Sequence, residues 1–137
     1  MPRGSRTLAF IDLNHIHDLN YQVGYTEVDR RIRATFAIPF RRSDLVARWY
    51  SGDEIVILFD SDRPGAEHKL SELRESAGRQ GLTFVSEIGE WQVGQQPVIE
   101  TINMLSQRSS QKKLARPNAV ARDFVAQGAL ECLTLTP

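Results

Sequence analysis

Three carboxylates stand at the ends of apolar runs in this chain. Asp12 closes the run TLAFID, and the adjacent pair Asp53 and Glu54 falls in SGDE, between the stretches DLVARWY and IVILF. An acidic residue at a hairpin tip commonly just faces water. Carboxylates brought close together are a different case, because they repel unless one is protonated or a cation lies between them. Oxygen donors of this type suit Mg²⁺ or Mn²⁺, and Mg²⁺ commonly takes one or two protein carboxylates together with substrate phosphates. The chemistry this offers is phosphoryl or nucleotidyl transfer, provided that the fold sets residue 12 beside residues 53 and 54.

The surrounding elements are of a kind that can do so. TLAFID (7–12) is rich in strand formers. The polar stretch NHIHDLNYQVGY follows, with a turn expected at Gly24. Thr26 is placed to cap a helix, with Asp29 near its positive end and Val28, Ile32 and Phe36 at i, i+4 and i+8 forming one apolar stripe. Pro39 is expected to end it. DLVARWY and IVILF, separated by SGDE, read as an antiparallel hairpin with Asp53 and Glu54 in its turn. After the turn segment DSDRPG, Ala66, Leu70, Leu73 and Ala77 mark a second amphipathic helix, closed by Gly81. LTFVSEI (82–88) is a further strand. Pro97 opens a third helix with Val98, Ile102 and Leu105 on one side. In the tail, ARDFVAQ can be helical and ALECLTL a closing strand. The order β-α-β-β-α-β, with an extra helix and tail, predicts an α+β fold: a ferredoxin-like, palm-type split βαβ with an antiparallel sheet and helices on one face. Because that fold hosts unrelated activities, function has to be argued from the site.

Composition narrows the setting. The 137 residues suit one domain with its own core. Lys+Arg and Asp+Glu both total 17, which gives no argument for bulk attraction to DNA or to a membrane surface. The basic residues are clustered, at Arg30, Arg31, Arg33, Arg41 and Arg42 and again at Arg108, Lys112, Lys113 and Arg116. Such patches fit a small anionic ligand or simply a solvated surface. No apolar run approaches the roughly 18 residues of a membrane span. No leader peptide is expected from MPRGSRTLAFID. The single cysteine, Cys132, suits a reducing cytoplasm. The expectation is a cytoplasmic protein without DNA or membrane partners.

FIDLNHIHDLNYQVGYTEVDRRI followed by RRSDLVARWYSGDEIVILF resembles the GGDEF family, the catalytic domains of diguanylate cyclases, and TFVSEIG extends the likeness more weakly. The resemblance covers about residues 7–116 and leaves 117–137 as a divergent tail. It implies a metal site of Asp12, the backbone carbonyl of Leu13, and Asp53, with Asp53 and Glu54 as catalytic residues. It implies guanine recognition by Asn20 and Asp29. An Asn amide with an Asp carboxylate matches guanine's pattern of acceptors and donors. Phosphate contacts would come from His17, Ser51, Gly52, Arg108 and Lys112, and Arg41-x-x-Asp44 resembles the family's inhibitory product site. The implied activity is Mg²⁺- or Mn²⁺-dependent condensation of two GTP into cyclic di-GMP and two pyrophosphates. Each domain would hold one GTP, so a homodimer is implied, at least transiently.

The sequence also departs from that pattern. Ser51 replaces the first glycine of the signature and Ile55 its phenylalanine. Asn14 replaces an acidic residue, and His15 and His17 stand where Phe and Lys are expected. One extra residue within Trp49-Tyr50 separates Arg48 from the turn. Two further readings stay open: a module that binds GTP or cyclic di-GMP without turnover, and a cyclic-nucleotide synthase of the minimal CRISPR polymerase type. The latter carries paired aspartates in its turn, whereas this chain has Asp53-Glu54.

Overall fold

Ser5–Leu13 (β1), reading SRTLAFIDL, is buried along almost its whole length. A strand this apolar belongs in the middle of a sheet covered on both sides. The computed structural model, which describes residues 5–49, 53–114 and 131–132, places it there. Leu45–Trp49 (β2) and Glu54–Phe59 (β3) form the expected antiparallel hairpin, and Phe84–Gln92 (β4) starts two residues later than the run expected at 82–88 and extends four residues beyond it. With Glu131–Cys132 as β5, the sheet among the described residues runs β4-β1-β3-β2-β5, with every neighbouring pair antiparallel. Strand β5 lies within the tail segment expected to close the sheet and pairs with Ala47 and Arg48 of β2. The tail helix expected at 121–127 lies outside the described residues.

The helices are Ile16–Val23 (α1), Tyr25–Thr35 (α2), Arg63–Arg79 (α3) and Val98–Leu114 (α4). Side chains alternate between the faces of a strand, and here the alternation divides the core. Ala9, Ile11 and Leu13 of β1, with Ile55, Ile57 and Phe59 of β3, pack on Val28 and Ile32 of α2 and on Leu70, Leu73 and Ala77 of α3. Leu8, Phe10 and Val56 point the other way, with Trp49, and meet Ile102 and Leu105 of α4. Helices therefore cover both faces, not one as expected. The expected apolar stripes all exist, but periodicity does not say which side of the sheet each stripe covers.

Three local expectations also change. Residues 16–23 form a helix where a polar stretch was read. The chain turns sharply at Gly24 (φ 88°), which stands at the N-cap of α2 in place of Thr26. That left-handed φ is open to glycine and strained for residues with a Cβ. Glu54 opens β3 instead of lying in the turn, because its backbone pairs with Asp12. Helix α2 stops at Thr35, four residues before the Pro39 expected to end it, while at α3 the punctuation holds. Asp62 caps α3 by accepting from Gly65 N at 3.0 Å, and Gly81 (φ 72°) follows its end, with Leu82 N bonded to Ala77 O. No helix among the described residues is long and apolar enough to cross a membrane.

Candidate functional site

The acidic cluster forms because two strands end together. Asp12 is the penultimate residue of β1 and pairs in register with Glu54, the first residue of β3. Leu13 N donates to Asp53 O at 2.9 Å, which holds the Asp53 backbone against β1. Directly opposed residues project to the same face, so Asp12 and Glu54 point to the α4 side. They are 2% and 3% exposed, Asp53 is half-buried, and one carboxylate oxygen from each lies within 4.8 Å of the others. Hard oxygen donors this close, two of them nearly sealed from water, fit a divalent cation of the Mg²⁺ or Mn²⁺ kind. Leu13 faces the opposite side and is fully buried there. Ser51 and Gly52 lie outside the described residues, as does Tyr50 of the expected insertion.

On the other face of the sheet, at the same end, α1, α2 and β2 enclose a cleft of about 470 Å³. Asn20 and Asp29, the pair expected to read guanine, both line it. Asn20 reaches it because α1 is a helix, and Asp29 because it lies one turn into α2. Asp29 accepts from Arg33 Nε at 2.8 Å and also from Arg48 Nη1. The hydrogen bond from Arg33, with that from Arg48, holds the Asp29 carboxyl below the usual carboxylate range, against a smaller opposing effect of burial. A carboxylate has about four acceptor positions, so two arginine bonds leave Asp29 able to take two more donors.

Arg48 was not among the residues expected at the site. Its side chain is only 11% exposed, and among the described residues its buried Nε has no hydrogen-bond partner, nor does Asn20 Oδ1. One signal was available. Val46 faces the α2–α3 core, so two residues on, Arg48 must face the same way, and an arginine on a core face needs a carboxylate.

The basic residues of α4 lie on the acidic side of the sheet. Arg108 and Lys112 are exposed and one helical turn apart. Arg108 donates to Met104 Sδ at 3.8 Å. Lys112 pairs with Glu87 at 2.6 Å and reaches Ser86 O at 3.5 Å. Glu87 is two residues along β4 from Val85, the partner of Asp12, which is about 7 Å along the strand. His17 is exposed in the first turn of α1, beyond His15, whose φ is 58°.

Arg41 and Asp44 lie elsewhere. Asp44 accepts from Arg41 N at 2.9 Å and from Asp60 N at 2.7 Å, and Arg41 Nη1 donates to Asp60 O. The motif thus fastens the chain entering β2 to the end of β3. Five register positions separate Thr7–Phe59 at that end from Asp12–Glu54, about 17 Å. A hydrogen bond from Ser43, then the charge of Arg6, keeps the Asp60 carboxyl below its ordinary range.

An antiparallel sheet in this order, with helices on both faces and acids at the central hairpin, is the GGDEF-type palm fold. The chain is similar to the diguanylate cyclase SiaD of Pseudomonas aeruginosa, solved in complex with its activator SiaC. The TM-score is 0.65 at 24% identity, over 82% of this chain and 47% of that one, so this chain spans about half of that protein's length. It is similar also to a microbial GGDEF domain solved with cyclic di-GMP, with a TM-score of 0.59 at 19% identity over 78% of this chain and 67% of that one. A bacterial tRNA(His) guanylyltransferase (Thg1)-like protein in complex with GTP matches at TM-score 0.50 and 14% identity, over 84% of this chain and 62% of that one. No family model matches the sequence, and no curated protein does. At these identities the likeness is one of fold.

Proposed function

We propose that this chain is a nucleotidyltransferase of the diguanylate cyclase type, condensing two GTP into cyclic di-GMP with release of two pyrophosphates. The observation that carries the reading is the shared location of two unlike sites. A carboxylate cluster and a cleft with a guanine-type residue pair lie at one end of the sheet, joined by the five residues from Asp12 to Ile16. A nucleotide with its base in the cleft and its phosphates at the acids would span that junction.

The residues divide the work by chemistry. Asp29, kept ionised by Arg33 and Arg48, suits a base edge offering two adjacent donors. Guanine's N1–H and N2–H provide them, whereas adenine has an acceptor at N1. Asp12, Asp53 and Glu54 would hold the divalent ion, which when bound would neutralise charge on the phosphates. Glu54 is suited to accept the proton from the attacking 3′-hydroxyl. The new bond joins that oxygen to the α-phosphorus of the second GTP, and the bond to the β-phosphate oxygen breaks. Arg108 and Lys112 suit the departing pyrophosphate. Each chain would present one GTP, so two chains must face each other.

Incubation with GTP and Mg²⁺, followed by anion-exchange chromatography, is expected to yield cyclic di-GMP from the wild type and none from Asp53→Ala. Equal inertness of the two proteins would exclude catalysis. It would favour binding without turnover, a reading consistent with the exposed Arg41 guanidinium. The engagement of the Asp44 carboxylate by two backbone N–H groups weighs against a free inhibitory site there.

A further inference from the structure

Tyr25 has no part in the scheme above, yet it lines the same cleft as Asn20, Asp29 and Arg48. The residue is 76% exposed. A ring of that size offers a large, rigid apolar surface with two faces on which a flat ligand can lie. Its position is set by backbone. Gly24 N donates to Asn20 O at 2.8 Å and Gly24 O accepts from Val28 N at 3.1 Å, so the corner between α1 and α2 is bonded on both sides. Tyr25 is the first residue of α2, and Asp29, one turn on, lies on the same helix face. Behind them the wall is apolar, made by Ile16, Val28 and Ile32, all buried. Asn20 Oδ1 and Arg48 Nε are also shielded, and neither has a hydrogen-bond partner among the described residues. Buried polar atoms left unsatisfied are few in folded proteins and often mark a functional site.

We infer that Tyr25 is the stacking platform of this cleft, its ring lying against the face of a purine base whose edge meets Asn20 and Asp29. The inference rests on the cleft being the base site, and adds to that reading the residue that supplies affinity. Every base has a π face, so stacking is indifferent to base identity. Tyr25 sets how tightly a nucleotide is held, and Asp29 sets which base is taken.

The test is calorimetric binding of three probes to the full chain: GMP, GTP with Mg²⁺, and inorganic triphosphate, which has no base. Tyr25→Ala is expected to weaken GMP and GTP by a common factor of about 10. Inorganic triphosphate should bind unchanged, and Tyr25→Phe should behave as the wild type. Because the side chain is exposed, its removal threatens the fold little. Equal GMP affinity in wild type and Tyr25→Ala overturns the inference while leaving the base site standing. So does a loss confined to the triphosphate probe. Failure of the wild type to bind GMP or GTP removes the base site itself. If Tyr25→Ala instead lowers the sedimenting mass with GMP affinity unchanged, the ring belongs to a contact between copies and the inference is wrong.

Discussion

The Asp12→Asn substitution isolates the charge of one buried carboxylate with almost no change of shape. Asp12 and Glu54 are nearly fully buried, and Asp53 joins them with carboxylate oxygens within 4.8 Å. At that separation and an effective dielectric constant of about 20, two ionised groups repel by about 3.5 kcal/mol. A divalent cation reverses the sign of that balance, so ion binding is expected to stabilise the folded chain. With Mg²⁺ at about 100 times its Kd the gain is about 2.7 kcal/mol. For a domain of this length that corresponds to a rise in Tm of roughly 8–11 °C. Scanning calorimetry in EDTA, Mg²⁺ and Mn²⁺ measures it directly. The wild type is expected to show the rise, and Asp12→Asn to lose most of it. A wild-type Tm that is the same in EDTA and in both metals would refute the metal site. Equal shifts in the two proteins would place the ion elsewhere.

Arg48→Met should cost about 1–2 kcal/mol in urea unfolding, less than a fully buried charged bond because Asp29 is 40% exposed. It should also weaken GMP, and a double-mutant cycle with Asp29→Asn should show coupling between the two changes. Ile32→Ala removes a side chain 1% exposed in the α2–α3 core and should cost about 2–5 kcal/mol by the same assay. Acid should loosen α2. The hydrogen bonds from Arg30 and then Arg31 lower the Glu27 carboxyl from an ordinary 4.5 to about 2. Asp29 is lowered in the same direction. A depressed carboxylate stabilises the fold above its unfolded pKa and loses that contribution as pH falls, for Glu27 between 4.5 and about 2. Tm should hold steady above pH 5 and drop below it, with a smaller drop in Glu27→Gln.

Much of the fold was readable along the chain because its signals are local. The apolar, strand-forming runs TLAFID and IVILF, the spacing by four of Val28, Ile32 and Phe36, and the turns at Gly24 and Gly81 involve residues within one or two turns of each other. Helix α1 escaped notice because IHDLNYQV is mostly polar and buries Ile16 alone. Its helical form owes more to packing at the α1–α2 corner than to any stripe of its own. The metal-type acids were legible once β1 and β3 were seen as neighbours. The register that makes Asp12 face Glu54 was not, since a slip of one residue would send Asp12 to the opposite side.

Residue order alone thus indicated β1 to β4, three of the four helices among the described residues, and the acids that stand near the strand ends. Pairing between distant segments settled the rest. It put α4 opposite α2 and α3, so that Arg108 and Lys112 share a face with the acids. It also set Arg48 of β2 against Asp29, 19 residues earlier, across the sheet-to-helix interface. Such contacts depend on how strands register and which face each helix covers, and no local periodicity carries that information.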